Sequence, residues 1–77
     1  MNHTATDVII HTHTPLSQTQ FEEVAQQVKH IEGVIRFDQS QTKPNFIMVA
    51  YNAGQTRALA ILNKLTRLGF NASLVGI

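Results

Sequence analysis

The chain has no cysteine and no tryptophan, only two prolines and four glycines. Without cysteine there is no disulfide, no thiolate nucleophile, no iron–sulfur cluster and no thiolate site for zinc or copper. Charge is also scarce. Charged residues make up 14%, and the formal net charge is +1 with the four histidines counted neutral. That surplus is too small for the electrostatic footprint of a nucleic-acid binder. No stretch approaches the roughly 18 apolar residues of a membrane span. Met1 to Ile10 hold no basic residue, and the apolar run Val8–Ile10 is far too short for a signal-peptide core. A cytoplasmic chain without membrane insertion is the expectation. What remains is 77 residues, 43% of them hydrophobic. That composition suits one small globular domain with a thin core. The polar residues 1–6 read as a flexible tail and residues 7–77 as the domain.

Hydrophobic periodicity divides the domain into six elements. Val8-Ile9-Ile10-His11-Thr12-His13 is β-branched and stops before Pro15, which has no ladder donor. Ser17-Gln18-Thr19-Gln20 fits the capping box S-x-x-Q. Leu16 and Phe21 flank it at the spacing of a hydrophobic staple. Phe21, Val24, Ala25, Val28 and Ile31 then form one helical stripe, closed by Gly33. Val34 to Phe37 is a second strand, Asp38 to Asn45 a polar hairpin loop, and Phe46 to Tyr51 a third strand. A second helix runs from about Gln55 or Thr56 to Leu68, with Ala58, Ile61, Leu62, Leu65 and Leu68 as its buried face. Gly69 ends it, and a last strand starts at Ala72 and continues past Val75.

The order is β-α-β-β-α-β, and its halves echo each other. A shift of 37 residues lays Ile10 on Ile47, and lays Val24, Ala25, Val28 and Ile31 on Ile61, Leu62, Leu65 and Leu68. Two such halves predict an α+β, ferredoxin-like sandwich. Four antiparallel strands carry both helices on one face, with the first and third strands in the middle.

With the elements placed, Gly33-Val34, the strand Ile47-Met48-Val49-Ala50-Tyr51, Ile61-Leu62 and Leu68-Gly69-Phe70-Asn71-Ala72 resemble the heavy-metal-associated (HMA) domain family. That family holds small copper and mercury chaperones and the N-terminal modules of metal-pumping ATPases. The resemblance runs from about Val8 to Ile77 and rests on core and turn positions. It implies a metal site in the loop before the first helix, built on Cys-x-x-Cys. The matching positions here are Ser17 and Gln20, neither a soft ligand. The resemblance also matches Phe70 to an aromatic residue beside that loop. An ACT-type amino-acid sensor shares the element order, but the Gly-Phe-Asn-Ala ending favours the HMA relationship.

His11-Thr12-His13 is the one pattern left with ligand chemistry. Strand residues i and i+2 share a face, about 7 Å apart along the chain. Two imidazoles at that spacing can converge on zinc, nickel or copper(II), and His3 on the tail is a candidate third ligand. The plain alternative is two solvated histidines. The same face is expected to carry Ile9, Phe46 and Met48, an apolar patch for a protein partner or weak self-association. Phe46 to Tyr51 lacks the Gly-aromatic-Gly pattern and flanking basic residues of RNA-recognition modules, so RNA binding on this face is not expected. His30 falls in the last turn of the first helix. Residues 1–32 carry a net −3 and residues 33–77 a net +4, with Arg57, Lys64 and Arg67 on one side of the second helix. That basic side is solvated or steers docking to an acidic partner. No catalytic constellation, phosphate loop or cofactor fingerprint occurs, so an enzyme is not expected. Two readings stay open. One is a metal-binding or metallochaperone-type module with histidines in place of cysteines. The other is a metal-free interaction or regulatory module of the same fold.

Overall fold

Why the chain folds as it does is clearest at the sheet's central pair. The computed structural model describes residues 5–75. Strand β1 (Ala5–Thr12) lies antiparallel to β3 (Phe46–Asn52), with Ile10 opposite Ile47 and Val8 opposite Val49. On the helix side Val8, Ile10 and Thr12 meet Ile47, Val49 and Tyr51, all buried. Alternation with period two then sends Asp7, Ile9 and His11, with Phe46, Met48 and Ala50, to the other face. Strand β2 (Val34–Gln39) pairs with β3, and β4 (Ala72–Val75) pairs with β1, giving the order β2-β3-β1-β4. The antiparallel sheet has the expected central strands.

Helices α1 (Gln18–Lys29) and α2 (Ala58–Arg67) cover one face. Val24, Ala25 and Val28 of α1 and Ile61 and Leu65 of α2 join the buried strand residues, with Phe37 and Leu16, in a single core cluster. Phe21 stacks on Phe37 with ring centroids 5.5 Å apart. The βαββαβ ferredoxin-like architecture is that anticipated from the sequence.

Details at the ends differ from expectation. β1 begins at Ala5 and takes Ala5 and Thr6 from the expected tail, pairing them with Asn52 and Tyr51. It ends at Thr12, so His13 follows the strand instead of closing it. β2 extends through Asp38 and Gln39, which shortens the hairpin loop. Its pairing with β3 shifts between Val34 and Arg36. α2 starts only at Ala58. Arg57 caps it without a side-chain bond, whereas α1 has its full capping box. Leu68 is 40% exposed, because it sits at the cap, beyond the last turn that packs on the sheet. Its counterpart under the 37-residue shift, Ile31, is half-buried. The internal echo is therefore strict in the core and loosens at the helix ends.

Gly33 and Gly69 both have positive φ, 101° and 97°. A Cβ at Gly33 would lie 2.8 Å from the Cβ of Gln55, while one at Gly69 would meet nothing within 4 Å. Alanine at either site takes on backbone strain on the order of 1–3 kcal/mol. Gly33→Ala should therefore cost more than Gly69→Ala in urea unfolding, and equal losses would show that the α2 entry yields freely. Polar substitution of Leu65, fully buried, should abolish the cooperative transition.

Candidate metal centre

The segment before α1, where the resemblance implied a metal site, is a helix cap. Ser17 is extended at φ −67° and ψ 165°, and its hydroxyl accepts the amide of Gln20 at 3.1 Å. The Gln20 side-chain oxygen accepts the Ser17 amide in return, at 3.0 Å. Both side chains thus satisfy amides that would otherwise lack partners at the helix start. Neither offers a soft donor, so nothing in this pair suits a monovalent copper ion.

The histidines lie one strand-end away. His11 is half-buried at the end of β1, opposite Phe46, and His13 is exposed just beyond it. Their ring centroids are 6.3 Å apart, with the rings inclined at 44°. Zinc takes imidazole nitrogen at about 2.0–2.1 Å, so the rings would have to turn toward each other to share an ion. His11 is held from two sides. Its ring packs against Phe46 at 5.0 Å between centroids, and its Nε2 lies 3.1 Å from the Asn45 side-chain amide. Lys43 Nζ lies 5.6 Å from the Phe46 ring centre. His13 is exposed, and among the described residues the only aromatic ring beside its own is that of His11.

Asn45 is the residue that sequence reasoning missed; it read only as a turn former. Its carbonyl accepts the Thr12 amide at 2.9 Å and lies 3.3 Å from the Thr12 hydroxyl, which donates more closely to the Thr14 carbonyl at 2.8 Å. Gln39 then ties this corner together. Its amide donates to the Leu16 carbonyl at 3.1 Å and to the Pro44 carbonyl at 2.7 Å, joining the β2–β3 hairpin to the approach to α1. No local sequence signal marks Asn45 or Gln39, since both act across more than twenty residues.

Among the described residues, no three His, Cys, Asp or Glu side chains gather around one point. His3 lies outside the described residues. His30 is exposed at the C-cap of α1 and belongs to no cluster. Phe70 is half-buried against the core and borders a depression with Glu23, Gln27 and Leu68. On the helix-free face, Met48 is 51% exposed beside Ile9, its partner in register. They line a groove of about 300 Å³ whose rim holds Asp7, Arg36 and Asp38. Phe46 is half-buried, with the His11 ring and the Lys43 Nζ both near its ring. Of the basic side of α2, Arg57 and Arg67 are exposed and Lys64 half-exposed.

No protein-family model and no curated protein sequence matches the chain. Solved structures do. Oxidized MerP from Ralstonia metallidurans CH34 is similar with a TM-score of 0.81 at 14% identity, over 95% of this chain and all of that one. A copper-binding domain from HMA7, a P-type ATPase, has a TM-score of 0.79 at 13% identity, covering 91% of this chain and 93% of its own. The yeast copper transporter domain Ccc2a has 0.78 at 22% identity, over 90% and 93% of the two chains. At these identities the likeness is one of fold, and it spans nearly the whole domain.

The cap itself is open to test. Ser17→Ala removes the acceptor for the Gln20 amide and should destabilise the domain by about 1 kcal/mol. Thermal unfolding without a measurable loss would mean that the capping box contributes nothing.

Proposed function

We propose that the chain is a small metal-binding module of metallochaperone type, in which His11 and His13 take the place of the lost cysteine pair and carry a divalent transition ion as cargo. The observation behind this reading is the pair of neighbouring imidazoles, 6.3 Å apart, at the end of the central strand. A fold shared with two copper-binding domains supports it. Neutral imidazole favours zinc, nickel or copper(II) over monovalent copper.

Asn45 is placed to orient His11. A ligating histidine normally donates its other ring N–H to an oxygen. Asn45 Nδ2 faces His11 Nε2 at 3.1 Å; with the amide flipped, Oδ1 accepts from Nε2–H and the lone pair on Nδ1 is left for the ion. Two protein ligands leave the remaining positions to water or to a receiving protein, which suits delivery better than storage. The exposed Met48 and the basic side of α2 are the surfaces such a receiver would meet. Cytoplasmic residence and the absence of enzymatic activity belong to the same reading. Among the described residues, no helix is long and apolar enough to cross a membrane.

The second reading, a metal-free interaction module, draws on one specific observation. Ser17 and Gln20 are wholly accounted for as a cap, so the family's own metal position has no remaining metal chemistry. Zinc titration followed by NMR separates the two. His11 and His13 should shift first, and binding should weaken in acid, because a protonated imidazole has no lone pair to give. His11→Ala with His13→Ala should abolish the shifts. Asn45→Ala should weaken the affinity about tenfold. If millimolar zinc moves neither histidine, the interaction module is the correct reading.

A further inference from the structure

The reading above leaves the ion with half a coordination shell, and the fold indicates where the other half comes from. Zinc bound structurally takes four ligands. This chain offers two, since no third His, Cys, Asp or Glu converges with them among the described residues. Asp7, the nearest carboxylate on the same face of β1, is four residues before His11, about 14 Å along the strand. The remaining positions are open to donors beyond the described residues, and a second copy of the chain brings two imidazoles of the same kind.

The surface around the histidines specifies the visitor. The row next to His11 on the helix-free face runs Val75, Ile9, Met48 across β4, β1 and β3. Met48 is 51% exposed there, and no charged side chain interrupts the row before Asp38 on β2. An apolar row beside a half-built nitrogen site fits a partner with the same two features, and the chain itself has both. With a net charge of +1, two copies repel little.

We propose that a divalent ion joins two copies of this chain face to face, with His11 and His13 of both copies as its four ligands. The proposal rests on the histidine reading. A two-fold axis along β1, between the sheets, lays each row on its own copy, as an isologous contact requires. Ile9 then meets Ile9, and Met48 meets Val75 of the second copy. Packed sheets lie about 10 Å apart, so an ion midway is about 5 Å from each backbone. That is the reach of an imidazole nitrogen plus a zinc bond of about 2.0–2.1 Å. The two Asp7 carboxylates face each other at the far end of β1. The twist of about −30° between aligned sheets splays that end, and their repulsion disfavours the pair when no ion is bound. Association is therefore conditional on metal.

Sedimentation velocity on the full chain, with and without zinc, tests this alongside calorimetric titration. The expected result is a monomer without zinc and a dimer with it, at half an ion per chain. His11→Ala or His13→Ala should each abolish the dimer. Met48→Asp should weaken it at least tenfold while zinc still shifts both histidines. Intermolecular NOEs between the Met48 methyl and Val75 should appear only with zinc. Zinc that shifts both histidines at one ion per chain, with the chain still monomeric, overturns the shared site and leaves the histidine reading standing. Zinc that moves neither histidine removes both. A dimer that survives the double alanine variant, or a ladder of higher species, also overturns the proposal.

Discussion

Everything in this domain depends on the parity of its two central strands. Val8, Ile10 and Thr12 on β1, with Ile47, Val49 and Tyr51 on β3, form the floor on which both helices pack. Because side chains alternate, burying that set commits His11, Ile9, Met48 and Phe46 to the opposite face. A one-residue slip of either strand would bury an imidazole or a methionine and expose isoleucine and valine. Across the two strands five apolar or aromatic side chains depend on that register, each worth roughly 1.5–3 kcal/mol when buried. Register and site are thus set by one choice.

Parity is also why so much was legible before the fold was known. The alternation of Val8 to Thr12 and of Phe46 to Tyr51 is local, and so are the capping box at Ser17 and the positive-φ stops at Gly33 and Gly69. Each of these signals lies within a few residues of the feature it governs. Asn45 and Gln39 carried no such signal. Their bonds to His11 and Leu16 exist only after the β2–β3 hairpin has closed against β1. Leu68 misled for a related reason. Helical spacing places it on the apolar stripe, but α2 ends at Arg67, and its last contact with the sheet is made by Leu65. Spacing describes a stripe; the sheet's extent decides how much of that stripe is covered.

The start of α1 shows what its two polar residues do. A helix N-terminus presents unpaired amides and the positive end of the dipole. Ser17 and Gln20 satisfy two of those amides themselves, each side-chain oxygen accepting the other residue's amide. The pair supplies local stability and offers no soft donor. The overlap with metal-handling domains at 13–22% identity is therefore an overlap of scaffolds.

On that scaffold the two histidines are held differently. His11 stands on a strand paired on both sides, to Phe46 and to Ser73, with its ring packed against Phe46. His13 lies past the last strand residue and is exposed, with its amide bonded to the Asn71 carbonyl at 3.0 Å. The strand end at Thr12 therefore separates two histidines of different standing, one half-buried and packed, the other exposed on a tied backbone.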